Sequence, residues 1–482
     1  MTVEHVDVLV VGAGLSGIAA ACHLQDRCPD KSFAILEARD AIGGTWDLFR
    51  YPGVRSDSDM YTLGFRFRPW PDAKSIADGP AILGYVRETA REHGVDRAIR
   101  FGHRVVRAEW SSADAAWTVD VERAGETTRF TCGFLFFCTG YYRYDEGYTP
   151  ELPGVERFGG PVVHPQHWPQ DLDYAGQRVV VIGSGATAVT LVPAMAETAA
   201  HVTMLQRSPS YVVSLPAEDP VARGLRRFLP ERVVYPIVRW KNVLLTMLSF
   251  QLARHRPRVM KGLIRRGVQR RLPRGYDTDP HFRPRYDPWD QRLCLVPDGD
   301  LFQAIGSGRA SVVTDRVETF TETGLELASG ATLDADVVVT ATGLNLLALG
   351  GAKLVVDGEP VDLASRLAYK GMMLEDVPNL AIALGYTNAS WTLKCELTCE
   401  YVCRLLNHME ERGLVACTPR NHDPTVAREP FIDFSSGYVL RSIDQFPKQG
   451  SRPPWRLHQN YARDILMLRL GSVEDEAMAW TR

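Results

Sequence analysis

The sequence predicts an α/β protein made of two Rossmann-like domains with a helical insertion. Three observations lead to this prediction. A short apolar strand, a glycine-rich turn and a helical stretch follow one another twice, first around residue 12 and again around residue 183. Two further apolar runs end in Thr-Gly, at residues 139–140 and 342–343, and would close each sheet. A strongly basic stretch with helical character lies between the second glycine turn and the second of these runs.

The composition is that of a globular protein with balanced charge. The 482 residues are 45% hydrophobic and 23% charged, which is enough apolar surface to form a core. The net charge of −3 argues against a protein that binds nucleic acid. The nine cysteines have no CxxC spacing, so neither a disulfide framework nor a metal site is predicted. Without a recognisable secretory signal, the chain is expected in the cytoplasm.

The first strand, turn and helix have the features of a dinucleotide site. Gly12 suits the tight turn, Gly14 lets a pyrophosphate approach the backbone, and Gly17 lets the helix pack on the strand. The free N–H groups of the helix N-terminus would face the phosphates. Glu37 ends the next strand, where a carboxylate accepts hydrogen bonds from ribose hydroxyls and repels a 2′-phosphate. This site therefore suits FAD or NAD rather than NADP.

The second unit ends differently. Its glycine turn spans Gly183, Ser184 and Gly185, and the strand that follows runs into Arg207 and Ser208. A guanidinium at this place favours the 2′-phosphate of NADP(H). One site that rejects a 2′-phosphate and one that attracts it are typical of a flavoprotein reduced by NADPH. The two Rossmann-like units are therefore predicted to be dinucleotide-binding domains for FAD and NADPH.

Residues 223–274 form a basic stretch, with fifteen Lys or Arg and the single acid Glu231. Its apolar part, residues 243–252, is shorter than the roughly 20 residues that a spanning helix needs. The pattern predicts inserted helices. Two interpretations stay open, a partly solvated basic insertion and a helix that lies peripherally on anionic lipid. A small stripe of Cys395, Cys399 and Cys403 further on is expected to form a buried helix face.

Two further motifs suggest a family. Residues 44–57 follow the pattern GxWxxxxYPGxxxD, and residues 158–169 follow FxGxxxHxxxWP, with Phe158, Gly160, His164 and Trp168 at its fixed positions. The chain therefore resembles the type I Baeyer–Villiger monooxygenases, a branch of the class B flavoprotein monooxygenases. The resemblance runs from residue 8 to residue 455 and beyond, and residues 46–59 and 385–393 are most similar to the ethionamide-activating, FAD-containing members.

This resemblance implies a role for individual residues. The residues implied for FAD are Gly12, Gly14, Ser16, Gly17, Glu37, Gly44, Thr45, Trp46, Asp47, Asp57 and Val105. The residues implied for NADPH are Arg55, Ser56, Asp57, Gly183, Ser184, Gly185, Ala186, Thr187, Ala188, Val189, Arg207 and Ser208. Arg292 matches the catalytic arginine, and Asp57 would pair with it. His164 is expected to hydrogen-bond in the linker between the domains rather than to transfer a proton.

The implied reaction uses NADPH and O₂ to insert one oxygen atom beside a ketone carbonyl, through a C4a-peroxide of FAD. The product is an ester or lactone, and sulfides or thioamides would also be oxygenated. The alternative is an N- or S-oxygenating flavin-containing monooxygenase without ketone activity. A disulfide reductase would need a cysteine pair in residues 45–57, which contain none. A nucleotide sensor without catalysis would not need Arg292.

The domain organisation follows from the order of these segments. The FAD domain is expected in residues 1–144 and 341–482, and the NADPH domain in residues 145–215 and 286–340. Residues 216–285 would form the helical insertion within the NADPH domain. The substrate is expected to be a small ketone or sulfur compound.

Overall fold

The computed structural model describes residues 3–291, 293–432 and 434–482. Within these residues the larger sheet has nine strands. Its first strand is fully buried from Val8 to Val10, because it lies in the middle of the sheet and its side chains pack alternately into apolar clusters on the two faces. Along the sheet the strands are Glu359–Pro360, Lys353–Val356, Arg104–Ser111, Ala116–Arg123, Glu126–Phe137, Glu4–Val11, Phe33–Glu37 and Ile99–Phe101, with Leu380–Ile382 also paired to Glu126–Phe137.

Part of this sheet differs from the mainly parallel arrangement that the sequence predicts. The strand Ala116–Arg123 runs antiparallel to both its neighbours, Arg104–Ser111 and Glu126–Phe137. Its burial alternates, with Trp117, Val119 and Val121 buried and the residues between them partly exposed. This period of two is typical of a sheet with one covered face. The ribbon extends the sheet beyond the predicted parallel core.

Two long helices cover the sheet beside the first glycine turn. Helix α1, Leu15–Arg27, follows that turn directly, and helix α2, Gly79–Glu92, begins at Asp78, whose side chain accepts a hydrogen bond from the N–H of Ala81 at 2.9 Å. Helix α1 is buried from Leu15 to Leu24, because helices pack on it from several sides. This burial fixes the turn at its N-terminus.

The second sheet is wholly parallel. In the described residues it has five strands, in the order Ala310–Thr314, His201–Gln206, Arg178–Ile182, Val337–Thr340 and Val162–Val163. Helix α3, Ala186–Met195, starts at the end of Arg178–Ile182, as the second glycine turn predicts. The near-continuous apolar burial of Val179 to Val181 and Val337 to Val339 is typical of strands covered on both faces.

The basic stretch forms the predicted helical insertion. Helix α4, Glu231–His255, and helix α5, Pro257–Gln269, make up most of it, with short helices at Pro220–Leu225 and Asp279–Phe282. Arg239 anchors α4, since its guanidinium is buried and lies 2.9 Å from the Glu396 carboxylate. Among the described residues, no helix combines the length and the apolar character that crossing a membrane requires.

The remaining elements return to the first sheet. Helix α6, Asp300–Gly306, packs beside α3, and helix α7, Trp391–Arg412, packs on α1. Cys395, Cys399 and Cys403 are buried in α7, which confirms the predicted small-residue face. Smaller helices are Thr45–Leu48, Met60–Leu63, Gly437–Leu440, Tyr461–Asp464 and Ile465–Leu470. Smaller strands are Tyr142–Gly147, Val212–Leu215, Cys294–Pro297, Val317–Thr321, Gly324–Leu327, Thr332–Asp334, Leu344–Leu346, Ala368–Tyr369, Met373–Leu374, Ala416–Pro419, Arg428–Pro430, Lys448–Gly450 and Met478–Thr481.

Candidate active site

A cavity of about 1020 Å³ lies between the two sheets and the helical insertion. Its size matches the upper range of small-molecule and cofactor sites. It brings together most of the predicted residues of the first domain and two of the second. The predicted residues that line it are Gly12, Gly14, Ser16, Glu37, Gly44, Thr45, Trp46, Arg55, Ser56, Asp57, Val105, Ala186 and Thr187.

In the first glycine turn, Gly12 and Gly17 lie so close to other backbone atoms that no side chain fits there. Gly14 instead faces open space that a ligand could occupy. A Cβ on Gly12 would lie 2.8 Å from the Cys138 carbonyl oxygen, and one on Gly17 would lie 1.8 Å from the Gly12 oxygen. At Gly14 the nearest atom would be 3.7 Å away, so a side chain there would fill the cavity instead. Gly14 is the N-cap of α1 and supplies no side-chain cap. This open helix end fits a pyrophosphate.

Glu37 lies beside this turn, buried at the end of its strand. Its carboxylate accepts hydrogen bonds from the N–H of Ala13 at 2.7 Å and from the N–H of Arg39 at 2.9 Å. The side chain therefore fixes the glycine turn while one edge still lines the cavity. Arg39, which was not predicted from the sequence, also lines the cavity. A cation two residues after the strand-ending acid was the signal that could have identified it.

Two residues predicted to contact FAD are absent from the cavity lining. Gly17 packs α1 against the turn, as described above. Asp47 is buried behind the wall, where its carboxylate accepts hydrogen bonds from Arg39 at 2.6 Å and Arg87 at 2.9 Å. Asp47 therefore holds Arg39, whose guanidinium also reaches the Gly44 carbonyl oxygen at 3.4 Å, and the approach of Asp47 to FAD stays a prediction.

The loop of residues 51–59 crosses from the first domain toward the second. Arg55 is ion-paired with Asp300 of α6, and its guanidinium also donates to the Val189 carbonyl oxygen at 3.4 Å. Asp57 lines the cavity near it. Asp59 lines it too and accepts a hydrogen bond from the Asn242 amide at 2.8 Å, while burial raises the pKa of its carboxyl. Neither Asp59 nor Asn242 was predicted from the sequence.

Arg292, the predicted catalytic arginine, lies outside the described residues. Its neighbours in the chain, Leu293 and Cys294, line the cavity. The predicted pairing of Arg292 with Asp57 therefore stays a prediction.

The second glycine turn is open in a similar way. A Cβ on Gly183 would lie 2.3 Å from the Ala341 carbonyl oxygen, whereas Gly185, the N-cap of α3, has open space around it. Ser184 donates a hydrogen bond to the Ser208 carbonyl oxygen at 3.0 Å, which joins the turn to the segment after the next strand. Arg207 is exposed there, at the carboxyl edge of the sheet.

The other predicted residues of this turn divide into two groups. Ala186 and Thr187 line the cavity, and Ala188 and Val189 are buried in the core behind it. Gly183, Ser184, Gly185, Arg207 and Ser208 are not part of its lining. They lie at the surface around the N-terminus of α3. Ala186 and Thr187 thus share one cavity with Gly12 and Gly14 of the first glycine turn.

The linker motif packs on the second unit. His164 donates from Nε2 to the Gly343 carbonyl oxygen at 3.2 Å and accepts at Nδ1 from the N–H of Gln166 at 3.2 Å. Burial lowers the pKa of His164, which favours this neutral form. Phe158 and Trp168 pack on Phe320 and Tyr174, and a Cβ on Gly160 would lie 2.2 Å from the Asp336 oxygen. These contacts agree with the predicted hydrogen-bonding role of His164.

Aromatic residues form the wall opposite the loop. Trp391 donates from its indole to the Ser16 hydroxyl at 2.8 Å, so that α7 is tied to the first glycine turn. Tyr386 also lines the cavity and donates to Asp464 at 2.6 Å. Tyr144, which was not predicted, shares a hydrogen bond of 3.2 Å with Thr45, and burial raises its pKa to about 12.

Comparison with protein families matches residues 5–347 to the model described as FMO-like, flavin-binding monooxygenase-like. The chain is 57% identical over 480 residues to the FAD-containing monooxygenase EthA of Mycobacterium tuberculosis, covering 99% of this chain and 98% of that protein. It is 55% identical over 480 residues to the FAD-containing monooxygenase EthA of Mycolicibacterium smegmatis, with the same coverage of both.

Solved structures share the fold over the whole chain. The oxidised steroid monooxygenase bound to NADP superposes with a TM-score of 0.78 at 21% identity and covers 99% of this chain and 100% of its own. The cyclohexanone monooxygenase from Rhodococcus sp. Phi1 bound to NADP⁺ gives 0.75 at 18% identity, with full coverage of both chains. The fold class predicted from the sequence is thereby confirmed.

Proposed function

Because the chain belongs to the flavin-binding monooxygenase-like family, we propose that it catalyses the Baeyer–Villiger oxidation of ketones. The chain is an FAD-dependent NADPH monooxygenase. In the proposed reaction one atom of O₂ is inserted beside the carbonyl carbon to give an ester or lactone. Sulfides or thioamides are proposed as further substrates of the same site.

One observation carries this proposal most directly. A single cavity joins the open first glycine turn, the loop with Arg55 and Asp57, and Thr187 of the second turn. Reductant, flavin and organic substrate can therefore meet in one enclosed space. The linker motif ends in Trp168 and Pro169, in agreement with the FxGxxxHxxxWP pattern on which the resemblance to the Baeyer–Villiger branch rests.

We assign the two cofactors to the two sheets. When bound, NADPH would supply the reducing equivalents, and FAD would pass them to O₂, which supplies the inserted oxygen atom. The FAD domain would comprise residues 1–144 and 341–482, since Lys353–Val356 and Leu380–Ile382 join the first sheet. The NADPH domain would comprise residues 145–215 and 286–340, since Ala310–Thr314 and Val337–Thr340 join the second. Residues 216–285 would form the insertion that covers the cavity.

The chain's own residues then have distinct tasks. The N–H groups at the start of α1 hold a pyrophosphate, and Glu37 keeps the turn in place. Arg292 would place a permanent positive charge where negative charge develops on the ketone oxygen. Asp57 would orient that guanidinium. The chemistry needs the charge to be fixed before the substrate reacts, because a preorganised charge costs no reorganisation.

The test compares Arg292→Ala with the wild-type enzyme and with Arg283→Ala, an exposed arginine nearby. We expect Arg292→Ala to retain FAD and to lose ester formation by at least about a hundredfold, measured as product mass per NADPH. Arg283→Ala should stay within about twofold of the wild type. Ester formation by Arg292→Ala at the wild-type rate would remove Arg292 from the reaction.

The second candidate, an N- or S-oxygenating monooxygenase without ketone activity, uses the same cofactor sites. A panel of linear, cyclic and aromatic ketones with matched sulfides separates the two. The proposal expects ester or lactone in amounts that follow NADPH consumption. Sulfoxide formation with no ester from any ketone would instead establish the second candidate.

A further inference from the structure

Helix α4 carries a row of exposed apolar side chains, which we call the apolar stripe: Val233, Ile237, Trp240, Leu244 and Leu248. Their spacing of three or four residues places them on one face of the helix. They are between 38% and 65% exposed, whereas Val234, Val238 and Val243 on the inner face are buried. The helix is therefore apolar on two sides, of which the protein covers one. An exposed apolar face of this size marks an interaction surface.

Neighbouring segments of the insertion add to this surface. Phe228, in the loop before α4, is 85% exposed, and Leu229 follows it. On α5, Val259 and Leu263 are exposed one turn apart. The exposed large apolar residues are thus concentrated in the same insertion that holds the basic stretch.

Basic residues are concentrated in the insertion, as the exposed apolar residues are. Residues 223–274 hold fifteen basic residues and one acid, although the whole chain has a net charge of −3. The rest of the molecule is consequently acidic. Within the parts of the chain that the structure describes, several of these arginines form no ion pair, namely Arg223, Arg227, Arg232, Arg256, Arg258, Arg266, Arg270 and Arg274. Their charges face solvent next to the apolar residues.

We propose that α4 and α5 lie on the surface of an anionic phospholipid bilayer. The apolar stripe enters the boundary between headgroups and acyl chains, and the arginines contact lipid phosphates. Charge complementarity selects this occupant. A second copy of the chain would place the same basic surface against itself in a two-fold interface, which like-charge repulsion disfavours. The acidic remainder of the molecule would be repelled from the membrane, so that one orientation is preferred.

The cavity opens beside this face. Leu245 lines the cavity and is 56% exposed, and it adjoins Leu244 of the apolar stripe. Leu215 likewise lines the cavity and is exposed, and Met260 of α5 completes this part of the wall. Docking places this opening against the acyl chains, so apolar substrates pass from lipid to cavity without crossing water. This last step rests on the proposed function, whereas the lipid contact does not.

The first test measures lipid binding without turnover. Full-length protein with bound FAD is floated on a density gradient with vesicles of phosphatidylglycerol and phosphatidylcholine, or of phosphatidylcholine alone, at low salt. We expect flotation with the anionic vesicles and much less with the neutral ones. The double variant Leu244→Gln/Leu248→Gln should bind about tenfold more weakly or worse. The control Val155→Gln/Val415→Gln, which alters exposed valines elsewhere, should float like the wild type.

The second test locates the contact. All nine cysteines are buried, so an introduced surface thiol is the one that a dye reaches. We expect an environment-sensitive dye on Leu248→Cys or Leu245→Cys to shift to the blue when anionic vesicles are added, and the same dye on Val415→Cys to stay unchanged. Retained FAD absorbance shows that each variant is folded.

Three results would overturn the proposal. The wild-type protein could remain at the bottom of the gradient with anionic vesicles. The double glutamine variant could float as well as the wild type. The emission of the dye on Leu248→Cys could show no blue shift while the protein is bound to vesicles. Self-association that Leu244→Gln/Leu248→Gln abolishes, without flotation of the wild type, would assign the face to a second copy instead. None of these readouts depends on ketone oxidation, so they stand apart from a failure of the proposed reaction.

Discussion

At the scale of single residues, Glu37 shows how the site is prepared before a ligand arrives. Its two carboxylate oxygens already accept backbone hydrogen bonds from Ala13 and Arg39. Ala13 belongs to the glycine turn, and Arg39 extends toward Gly44 and Asp47. One buried carboxylate thereby fixes the turn and the cation beside it, which lowers the cost of ordering them when the cofactor binds.

His23 gives a prediction about stability and pH. The ring is buried in α1 against Phe67, and burial lowers the pKa of His23 from 6.5 to about 4. The unfolded chain binds a proton below pH 6.5 while the folded chain does not, so stability is present above that pH and is lost as the pH falls toward 4. When the pH falls from 7 to 5, the free energy of unfolding of the wild type should therefore decrease by about 2 kcal/mol more than that of His23→Phe.

Urea unfolding at both pH values measures this difference. Because only the change with pH is compared, a packing change that His23→Phe causes at both pH values cancels. The surface variant His422→Phe serves as control, since that residue is exposed, and it should follow the wild type. Parallel pH profiles for the wild type and His23→Phe would show that His23 titrates normally in the folded protein.

At the scale of elements, Arg207 should determine the choice of nicotinamide cofactor. It follows the strand His201–Gln206 at the edge of the sheet where α3 begins. Arg207→Ala should raise the KM for NADPH by about tenfold to a hundredfold and leave the KM for NADH nearly unchanged, because only NADPH carries the 2′-phosphate. Steady-state oxidation of both nucleotides measures this. Arg309 precedes the neighbouring strand Ala310–Thr314 and lies at the amino-terminal end of the sheet, so Arg309→Ala should change neither KM. An equal rise for both nucleotides would contradict a contact with the 2′-phosphate.

The same elements show how far the sequence can predict this structure. Both strand, turn and helix units were predictable, because glycine spacing and continuous apolar runs are local signals. The antiparallel strand Ala116–Arg123 was not, since its alternating pattern fits an edge ribbon only once its partners are known. In the site, Glu37 and Ser16 could be assigned from motif positions. The burial of Asp47 behind Arg39, and the contact of Asn242 with Asp59, depend on segments far apart in the chain.

At the scale of the whole molecule, the ion pair of Arg55 with Asp300 connects the loop of the first domain to α6 of the second. Asp300→Asn should weaken this connection by about 1 kcal/mol, because the pair is partly buried. We expect unchanged FAD content and a KM for NADPH about fivefold higher, measured by flavin absorbance and steady-state kinetics. Asp334→Asn, which alters an exposed ion pair with Arg178 in the same domain, should leave both unchanged. A normal KM in Asp300→Asn would show that the pair does not affect cofactor binding.

The buried thiols have a consequence for the durability of the enzyme. Cys138 lines the cavity and Cys395 lies 3.3 Å from the Ser16 hydroxyl, so both are close to the first glycine turn, where we propose that FAD binds. Burial raises the pKa of Cys395 to about 12 and that of Cys138 well above its ordinary value. Sulfur is oxidised by peroxide mainly as the thiolate, which these residues scarcely form. Next to the proposed site of an oxidising reaction, the protein thus holds these two thiols in a form that resists oxidation.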